Sequence, residues 1–368
     1  MSWGADDRWM ARAIRLASTA LGTTWPNPAV GCVLVRDGQL LGQGVTAPRE
    51  TTGPQEHAEA AALADALGRG QVVAGATAYV TLAPCTTRST TGCTACAEAL
   101  ITAGIARVVV AVEDPHQPAS RERFTAAGIA WQSGIQAEAA RHLHGGFLQR
   151  MTAKRPRFTG KWAMTLDGCL ATGTGHSGWI SHPEALALSR RRRRAFDAIL
   201  IGGGTARADD PSLLAAQPRR RQGTGTPLRV VVARDPALSE DARLLTTLDQ
   251  APLLLVHDPA TDVTGPKAWG AESLAMEDLH DLTRLGRTLG GWGLNDVLVE
   301  GGAQVHAAFL AAGLYDRLEI YHGAVSLGGG LPVAAGPGVG HMADGTRWQP
   351  EGPPRLLGST ILSRWQRV

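Results

Sequence analysis

Apolar runs rich in β-branched residues alternate with helical patterns along almost the whole chain, and this alternation limits the fold more than any other sequence feature. The clearest runs occupy 76–82, 106–112, 198–201, 228–233 and 297–299. Neighbouring segments, such as 57–67, place apolar residues at helical spacing. Alternation of this kind is typical of α/β domains built in layers. The sequence therefore predicts an α/β fold.

A basic, proline-containing segment, Lys154-Arg155-Pro156-Arg157, divides this alternation into two halves. A chain of 368 residues has room for two domains. We expect a first domain over 1–146, a linker over 147–156 and a second domain over 157–368. These bounds leave one complete alternation in each domain.

Composition narrows the class of protein and its compartment. The formal net charge is only +3, which does not favour a nucleic-acid partner. No stretch approaches the ~20 uncharged apolar residues of a membrane helix, and the N-terminus lacks a signal-peptide pattern. Five unevenly spaced cysteines argue against a disulfide framework. We therefore expect a cytoplasmic protein that binds no membrane.

The first half carries a pattern that predicts a catalytic zinc site. His57-Ala58-Glu59 begins a predicted helix, Pro84-Cys85 follows a predicted strand, and Cys96 begins another helix. Zinc deaminases use one histidine and two cysteines as ligands, with a nearby glutamate that moves protons without binding the metal. Three protein ligands leave the fourth position to water, whose pKa the metal lowers. This spacing predicts hydrolytic deamination, with Glu59 as the proton-transfer residue.

A closed structural zinc site is the alternative for the same residues. Cys93 and Cys96 have Cys-x₂-Cys spacing, and with Cys85 and His57 they would complete a Cys₃His shell that excludes water. The chain would then be a ligand-binding protein and not an enzyme. A nucleic-acid deaminase is disfavoured, because its cysteines usually follow Pro-Cys-x-x-Cys and position 88 is an arginine.

The second half contains two glycine-rich turns that predict a dinucleotide site. Gly202-Gly203-Gly204-Thr205 and Glu300-Gly301-Gly302 each follow a predicted strand and precede a predicted helix. Backbone amides at such a helix N-terminus attract phosphate. Neither turn has the Gly-x-Gly-x-x-Gly spacing of the Rossmann fingerprint. Glycines also end strands for purely structural reasons, so each turn alone is a weak signal.

Two further segments of the second half are candidates for ligand contact. Ser177-Gly178-Trp179-Ile180 follows a glycine-rich turn and suits a substrate and nicotinamide pocket, although Trp179 also suits an ordinary core. Five consecutive arginines, Arg190 to Arg194, lie on a predicted helix. Helical geometry allows only one or two of them to face inward, where a guanidinium could grip a phosphate.

Taken together and in order, these motifs resemble the RibD family, in which a pyrimidine deaminase is fused to a pyrimidine reductase of riboflavin biosynthesis. The resemblance covers nearly the whole chain. The motifs of the first half are Trp25-Pro26-Asn27-Pro28-Ala29-Val30-Gly31-Cys32, His57-Ala58-Glu59, Tyr79-Val80-Thr81-Leu82-Ala83-Pro84-Cys85 and Cys96-Ala97-Glu98-Ala99-Leu100-Ile101. Those of the second half are Thr165-Leu166-Asp167-Gly168, Ser177-Gly178-Trp179-Ile180, Gly204-Thr205 with Asp209-Asp210-Pro211, and Val299-Glu300-Gly301-Gly302.

The resemblance implies a cytidine-deaminase-like, three-layer domain followed by a dihydrofolate-reductase-like α/β domain. It implies zinc-dependent hydrolytic deamination of 2,5-diamino-6-(5-phosphoribosylamino)pyrimidin-4-one. NADPH would then reduce the ribosyl group to a ribityl chain. The implied partner is this small phosphorylated pyrimidine, and a homodimer is expected.

Motif matching also implies which residues act. It implies that His57, Cys85 and Cys96 bind zinc and that Glu59 transfers the proton. The residues expected to contact NADPH are Ala163, Trp179, Thr205, Asp209, Gly301 and Gly302. The residues expected to contact substrate are Asn27, Lys161, Ser177, Arg193, Leu213 and Glu300.

Three segments depart from the family pattern. The stretch Thr86–Ala95 between the zinc cysteines is longer than in the family and lacks its histidine. No glycine pair follows Asp114-Pro115-His116-Gln117-Pro118, and Ala216 stands where the family has an arginine. These changes leave open an alternative: a paralogue that acts on another aminopyrimidine or pteridine-like compound, or that has one inactive domain.

Overall fold

The computed structural model describes residues 4–49, 55–87, 94–178, 180–216, 226–236, 238–334, 336 and 338–368. The chain divides into two compact units, Met1–Lys154 and Arg155–Val368. Among the described residues, no helix combines the length and the apolar composition that a membrane crossing requires.

The first unit is a sheet with helices on both faces. Its strands are β1 (Gly31–Arg36), β2 (Gln39–Val45), β3 (Thr77–Leu82), β4 (Arg107–Val112) and β5 (Ala130–Ser133). Its helices are α1 (Ala5–Ser18), α2 (Ala58–Gly68), α3 (Cys96–Thr102), α4 (Ser120–Ala126) and α5 (Ala137–Ala153). The strand order is β2-β1-β3-β4-β5, antiparallel as far as β3 and parallel from β3 to β5. Helix α1 contacts α5 on one face, and α2 contacts α3 on the other.

A glycine in β2 allows α2 to pack closely against the sheet. A Cβ atom at Gly44 would lie 2.3 Å from the Ala58 carbonyl oxygen, which is closer than any side chain allows. Ala58 is the first residue of α2 and is fully buried. This close approach fixes the beginning of α2, and with it His57 and Glu59, against the sheet.

The segment expected to be a linker is helical over most of its length. Helix α5 continues to Ala153 and ends at Lys154 in the left-handed conformation, whereas 147–156 was predicted to be a linker. Phe147 is buried in the first core, and Met151 packs against it. This apolar stripe keeps the helix intact beyond residue 146.

The second unit is a larger mixed sheet. Its strands are β6 (Arg157–Met164), β7 (Cys169–Ala171), β8 (Ala198–Gly202), β9 (Leu228–Val232), β10 (Leu253–His257), β11 (Glu272–Ala275), β12 (Asp296–Val299), β13 (Tyr315–His322), β14 (Leu331–Pro332), β15 (Trp348–Pro350), β16 (Arg355–Leu357) and β17 (Thr360–Arg367). Its helices are α6 (Pro183–Arg192), α7 (Gly203–Asp209), α8 (Arg243–Thr246), α9 (Thr264–Ala268), α10 (Leu282–Gly291) and α11 (Ala303–Ala311).

The strand order of this sheet brings three strand ends together. The order is β11-β10-β9-β8-β12-β6-β13-β17-β15, with β16 beside β17 and a separate β14-β7 pair. Strands β11 to β13 of this order run parallel, and β17 is antiparallel to its neighbours. The carboxyl ends of β8, β12 and β6 therefore lie at one edge, where α/β sheets bind ligands.

Candidate active sites

The first site is a cluster of three metal-ligand side chains at the ends of three elements. His57 precedes α2, Cys85 follows β3, and Cys96 begins α3. The His57 Nδ1 atom lies 3.6 Å from Cys85 Sγ and 3.3 Å from Cys96 Sγ. All three ligand atoms lie within 4.8 Å of one another.

This donor set fits zinc in both chemistry and spacing. One imidazole and two thiolates are a usual catalytic zinc set, and ligand atoms on a tetrahedral zinc lie roughly 3.5 Å apart. The Cys96 thiol, the His57 ring and the Cys96 N–H, 3.4 Å from Cys85 Sγ, lower the pKa of Cys85. Cys85 is therefore held as a thiolate, the form that binds metals.

Glu59 is the second residue of α2 and does not belong to the donor cluster. Its side chain is buried, with only 3% of the residue exposed. Burial raises the pKa of Glu59 from its ordinary value, although the His57 charge opposes this effect. A carboxyl group held in this way can carry a proton beside the metal ligands, as the deaminase pattern requires.

A cavity of about 530 Å³ opens onto this cluster. Its size suits a small ligand. Asn27 lines it, and the Asn27 amide donates to Gln55 Oε1 over 2.8 Å. Gln55 in turn donates to the Thr24 carbonyl over 3.0 Å. These bonds fix the orientation of Asn27 toward a bound ring.

The second site is a cluster of charged side chains from the second unit. Glu300, which follows β12, accepts two hydrogen bonds from Arg193, of 2.8 and 2.9 Å. The Lys161 ammonium group, on β6, lies 3.8 Å from Glu300 Oε2. Burial would raise the pKa of Glu300, but Lys161 and Arg193 outweigh it and lower the pKa to about 2. Three of the residues expected to contact substrate therefore form one ionised group.

The arginine run divides as helical geometry requires. Arg193 faces Glu300, and Arg192 forms an ion pair with Glu319 on β13. Arg190 and Arg191 are exposed. Arg192 and Arg193 therefore bind carboxylates of the protein itself.

The two glycine turns meet beside this charged cluster. A Cβ atom at Gly302 would lie 3.3 Å from Thr205 Oγ1, so α7 and the turn before α11 are neighbours. Helix α11 begins with Gly302 as its N-cap, which supplies no side-chain cap to the first turn. Uncapped amides at a helix N-terminus fit a phosphate. This geometry fits the pyrophosphate of a dinucleotide.

The remaining predicted residues of the second unit are more scattered. Ala163 is half-buried near the end of β6, and Ser177 is exposed in the loop before α6. Asp209 is exposed at the end of α7, where partial burial still raises its pKa. The Leu213 side chain packs in a hydrophobic core and is 2% exposed, so only its backbone is placed to meet a ligand. The main chain there has a positive φ of 52°.

Two residues that decide open questions lie outside the described residues. Cys93 is the residue on which a closed Cys₃His shell depends, and Trp179 is the expected nicotinamide contact. The predictions for both stay predictions.

Several residues near the sites carried no sequence signal. Gln55, His116 and Arg150 all line the first cavity. In the second unit, buried His306 accepts or donates a 2.7 Å hydrogen bond with Tyr315. Desolvation lowers the pKa of His306 to about 4, which keeps its ring neutral. Each of these depends on contacts between distant segments, so no local pattern could have revealed it.

Family models match both units. The model described as the cytidine and deoxycytidylate deaminase zinc-binding region matches residues 4–112. The RibD C-terminal domain matches residues 156–352. The cytidine-deaminase-like and dihydrofolate-reductase-like folds expected from the sequence are confirmed.

Curated and solved relatives cover nearly the whole length of the chain. The riboflavin biosynthesis protein RibD of Aquifex aeolicus is 35% identical over 333 residues, with 89% of each chain covered. RibD of Mycobacterium tuberculosis is 36% identical, over 97% of this chain and 96% of the relative. The structure of Acinetobacter baumannii RibD superposes with a TM-score of 0.85 at 31% identity, covering 99% of both chains.

A Thermotoga maritima structure described as a diaminohydroxyphosphoribosylaminopyrimidine deaminase/5-amino-6-(5-phosphoribosylamino)uracil reductase has a TM-score of 0.86. It is 29% identical, with 99% of both chains covered. Nothing in these matches supports a paralogue with another substrate. The chain, with both domains in the family's order, belongs to the RibD family.

Proposed function

We propose that this chain is a bifunctional enzyme of riboflavin biosynthesis. Its first unit deaminates 2,5-diamino-6-(5-phosphoribosylamino)pyrimidin-4-one by hydrolysis, and its second unit reduces the ribosyl group to ribityl with NADPH. The observation that carries the proposal is the His57, Cys85 and Cys96 cluster, of which His57 and Cys85 line one cavity together with Glu59 and Asn27. The cofactors are zinc and NADPH.

In the first unit the residues divide the work of replacing an amino group by oxygen. His57, Cys85 and Cys96 hold zinc, which when bound supplies a water of lowered pKa. Asn27 orients the pyrimidine ring at the cavity wall. Glu59 takes a proton from the attacking water and gives it to the leaving amine, so that ammonia departs.

In the second unit the charged cluster positions the sugar. NADPH, when bound, supplies the hydride for the ribosyl carbon. The residues that would contact the dinucleotide are Gly301, Gly302, Thr205, Asp209, Ala163 and Trp179. Lys161 and Arg193 bind the substrate, and Glu300 holds both side chains in place through ion pairs. Ser177 and the backbone at Leu213 complete the proposed substrate contacts.

Separate assays of the two reactions test the proposal. Zinc-loaded protein should release ammonia from the substrate without NADPH, and should then oxidise NADPH when it is added. Ammonia release without NADPH oxidation would contradict the reductase half. Failure to release ammonia from the starting substrate, in protein that oxidises NADPH with already deaminated substrate, would contradict the deaminase half. A homodimer and a cytoplasmic location also stay predictions, of which sedimentation tests the first.

A further inference from the structure

One wall of the first cavity comes from the last turns of α5, far along the chain from the zinc ligands. Phe147, Arg150 and Met151 line the cavity, and their spacing of three and four residues places them on one helix face. The Arg150 Nη2 atom donates to the Pro26 carbonyl over 2.6 Å. Because Pro26 directly precedes Asn27, the Arg150 guanidinium is held close to the residue that we expect to orient the pyrimidine.

Among the described residues that line this cavity, Arg150 is the one whose side chain carries a permanent positive charge. His57 lines it too, but belongs to the metal-ligand cluster, and His116 is an exposed side chain. A guanidinium stays charged at every physiological pH. The Asp114 carboxylate also lines the cavity, but it accepts the His116 N–H over 2.8 Å, and burial raises the pKa of Asp114. The cavity therefore offers an anion a fixed cation in Arg150.

The substrate of the proposed reaction carries such an anion. Its ribosyl group ends in a 5-phosphate, which cannot enter a cavity of this kind without a positive partner to replace its water. A guanidinium can give phosphate two parallel hydrogen bonds. We propose that Arg150 binds the 5-phosphate during deamination and so determines the preference for the phosphorylated substrate over its nucleoside. This inference rests on the proposed function.

The test compares the substrate with its dephosphorylated nucleoside. In zinc-loaded Arg150→Gln protein, the ratio of kcat/KM for the phosphorylated compound to that for the nucleoside should fall roughly 10- to 100-fold, mainly through KM. Arg150→Lys keeps the charge and should recover part of the ratio. Arg141→Gln is the matched control, since Arg141 is an exposed residue of α5 that does not line the cavity. It should leave the ratio at its wild-type value.

Three outcomes would overturn the inference. Equal losses on both compounds in Arg150→Gln would mean that Arg150 supports the Pro26 turn and not the phosphate. A wild-type kcat/KM ratio in Arg150→Gln, together with a lowered ratio in Arg88→Gln, would assign phosphate binding to the segment between the zinc cysteines. If wild-type protein released ammonia from neither compound, the proposed function itself would be overturned. This is determined before any variant is made.

Discussion

Each of the two sites withdraws a glutamate from water, and the pKa values of the two carboxyl groups shift in opposite directions. Glu59 has a raised pKa because it is removed from water among thiols and an imidazole. Glu300 is nearly as withdrawn, with its side chain 9% exposed, yet its pKa falls to about 2 because Lys161 and Arg193 surround it. Burial alone therefore does not decide the state of a carboxyl group. The first site raises the pKa of the carboxyl group that we propose for proton transfer, and the second keeps a negative charge that orders two cations.

The largest expected effect is loss of deaminase activity without loss of reductase activity. Cys85→Ala removes one of three metal ligands, so zinc content and ammonia release should both fall to background. Reduction of already deaminated substrate should continue at close to the wild-type rate, because its cluster uses only residues of the second unit. Metal analysis together with both assays measures this.

Cys93→Ser is the matched cysteine control. It should keep zinc and deaminase activity, because Cys93 lies outside the expected ligand set. Loss of zinc in this variant, to the extent seen in Cys85→Ala, would favour the closed structural shell and contradict the account.

Glu59→Gln tests proton transfer apart from metal binding. The amide cannot move the proton, so kcat for deamination should fall by about 10²–10⁴-fold while zinc stays bound. Deamination at the wild-type rate would show that another group moves the proton. Zinc loss in this variant would instead place Glu59 among the ligands.

Glu300→Gln should destabilise the fold as well as impair reduction. It leaves Arg193 and Lys161 without their buried counter-charge, a change that costs about 3 kcal/mol in comparable sites. Denaturant titration at neutral pH, with Glu98→Gln as control, measures this. Glu98 pairs with Arg123 on the surface, where both side chains are more than a third exposed, and its loss should have little effect.

The pH dependence of this stability follows from the lowered pKa of Glu300. The carboxylate contributes its stabilisation above its ordinary pKa of 4.5, and this contribution is lost as pH falls from 4.5 toward 2. The stability difference between wild type and Glu300→Gln should therefore narrow below pH 4.5. A difference that stays constant down to pH 3 would contradict the ion-pair assignment.

The smallest effect concerns the backbone that positions the first site. Gly44→Ala drives a Cβ atom into the main chain of α2, and overpacking of this kind costs about 1–3 kcal/mol. We expect a lower melting temperature and weaker zinc binding. Gly68 lies in α2 itself with open space around it, so Gly68→Ala should be neutral or slightly stabilising. Equal behaviour of the two variants would remove the packing argument.

What the sequence could predict differs between the sites for a physical reason. The metal ligands were predictable because zinc accepts few side-chain types, and His57, Cys85 and Cys96 lie at predictable ends of helices and strands. Which of the five consecutive arginines would face inward was not predictable. The selection of Arg192 and Arg193 depends on which carboxylates the folded sheet places opposite them. The resemblance to the family, and not the local pattern, supplied Arg193.

Parts of the fold were also beyond local patterns. Strand β17 is held by pairing with distant β13, and β15 and β16 pair only with β17, so the sequences of these three strands read as irregular. The helical end of α5 was missed because the basic, proline-containing segment Lys154–Arg157 directly after it suggested a joint. Yet that end supplies the cavity wall at Arg150, which shows that the missed segment contributes to the site.

Mass spectrometry of the product is the most direct test of two complete sites in one chain. Zinc-loaded protein is incubated with the phosphoribosylaminopyrimidine substrate and NADPH, and the product mass is followed in time. The account predicts exchange of one amino group for oxygen, followed by addition of two hydrogen atoms. Unchanged substrate, with zinc bound and both units folded, would contradict it.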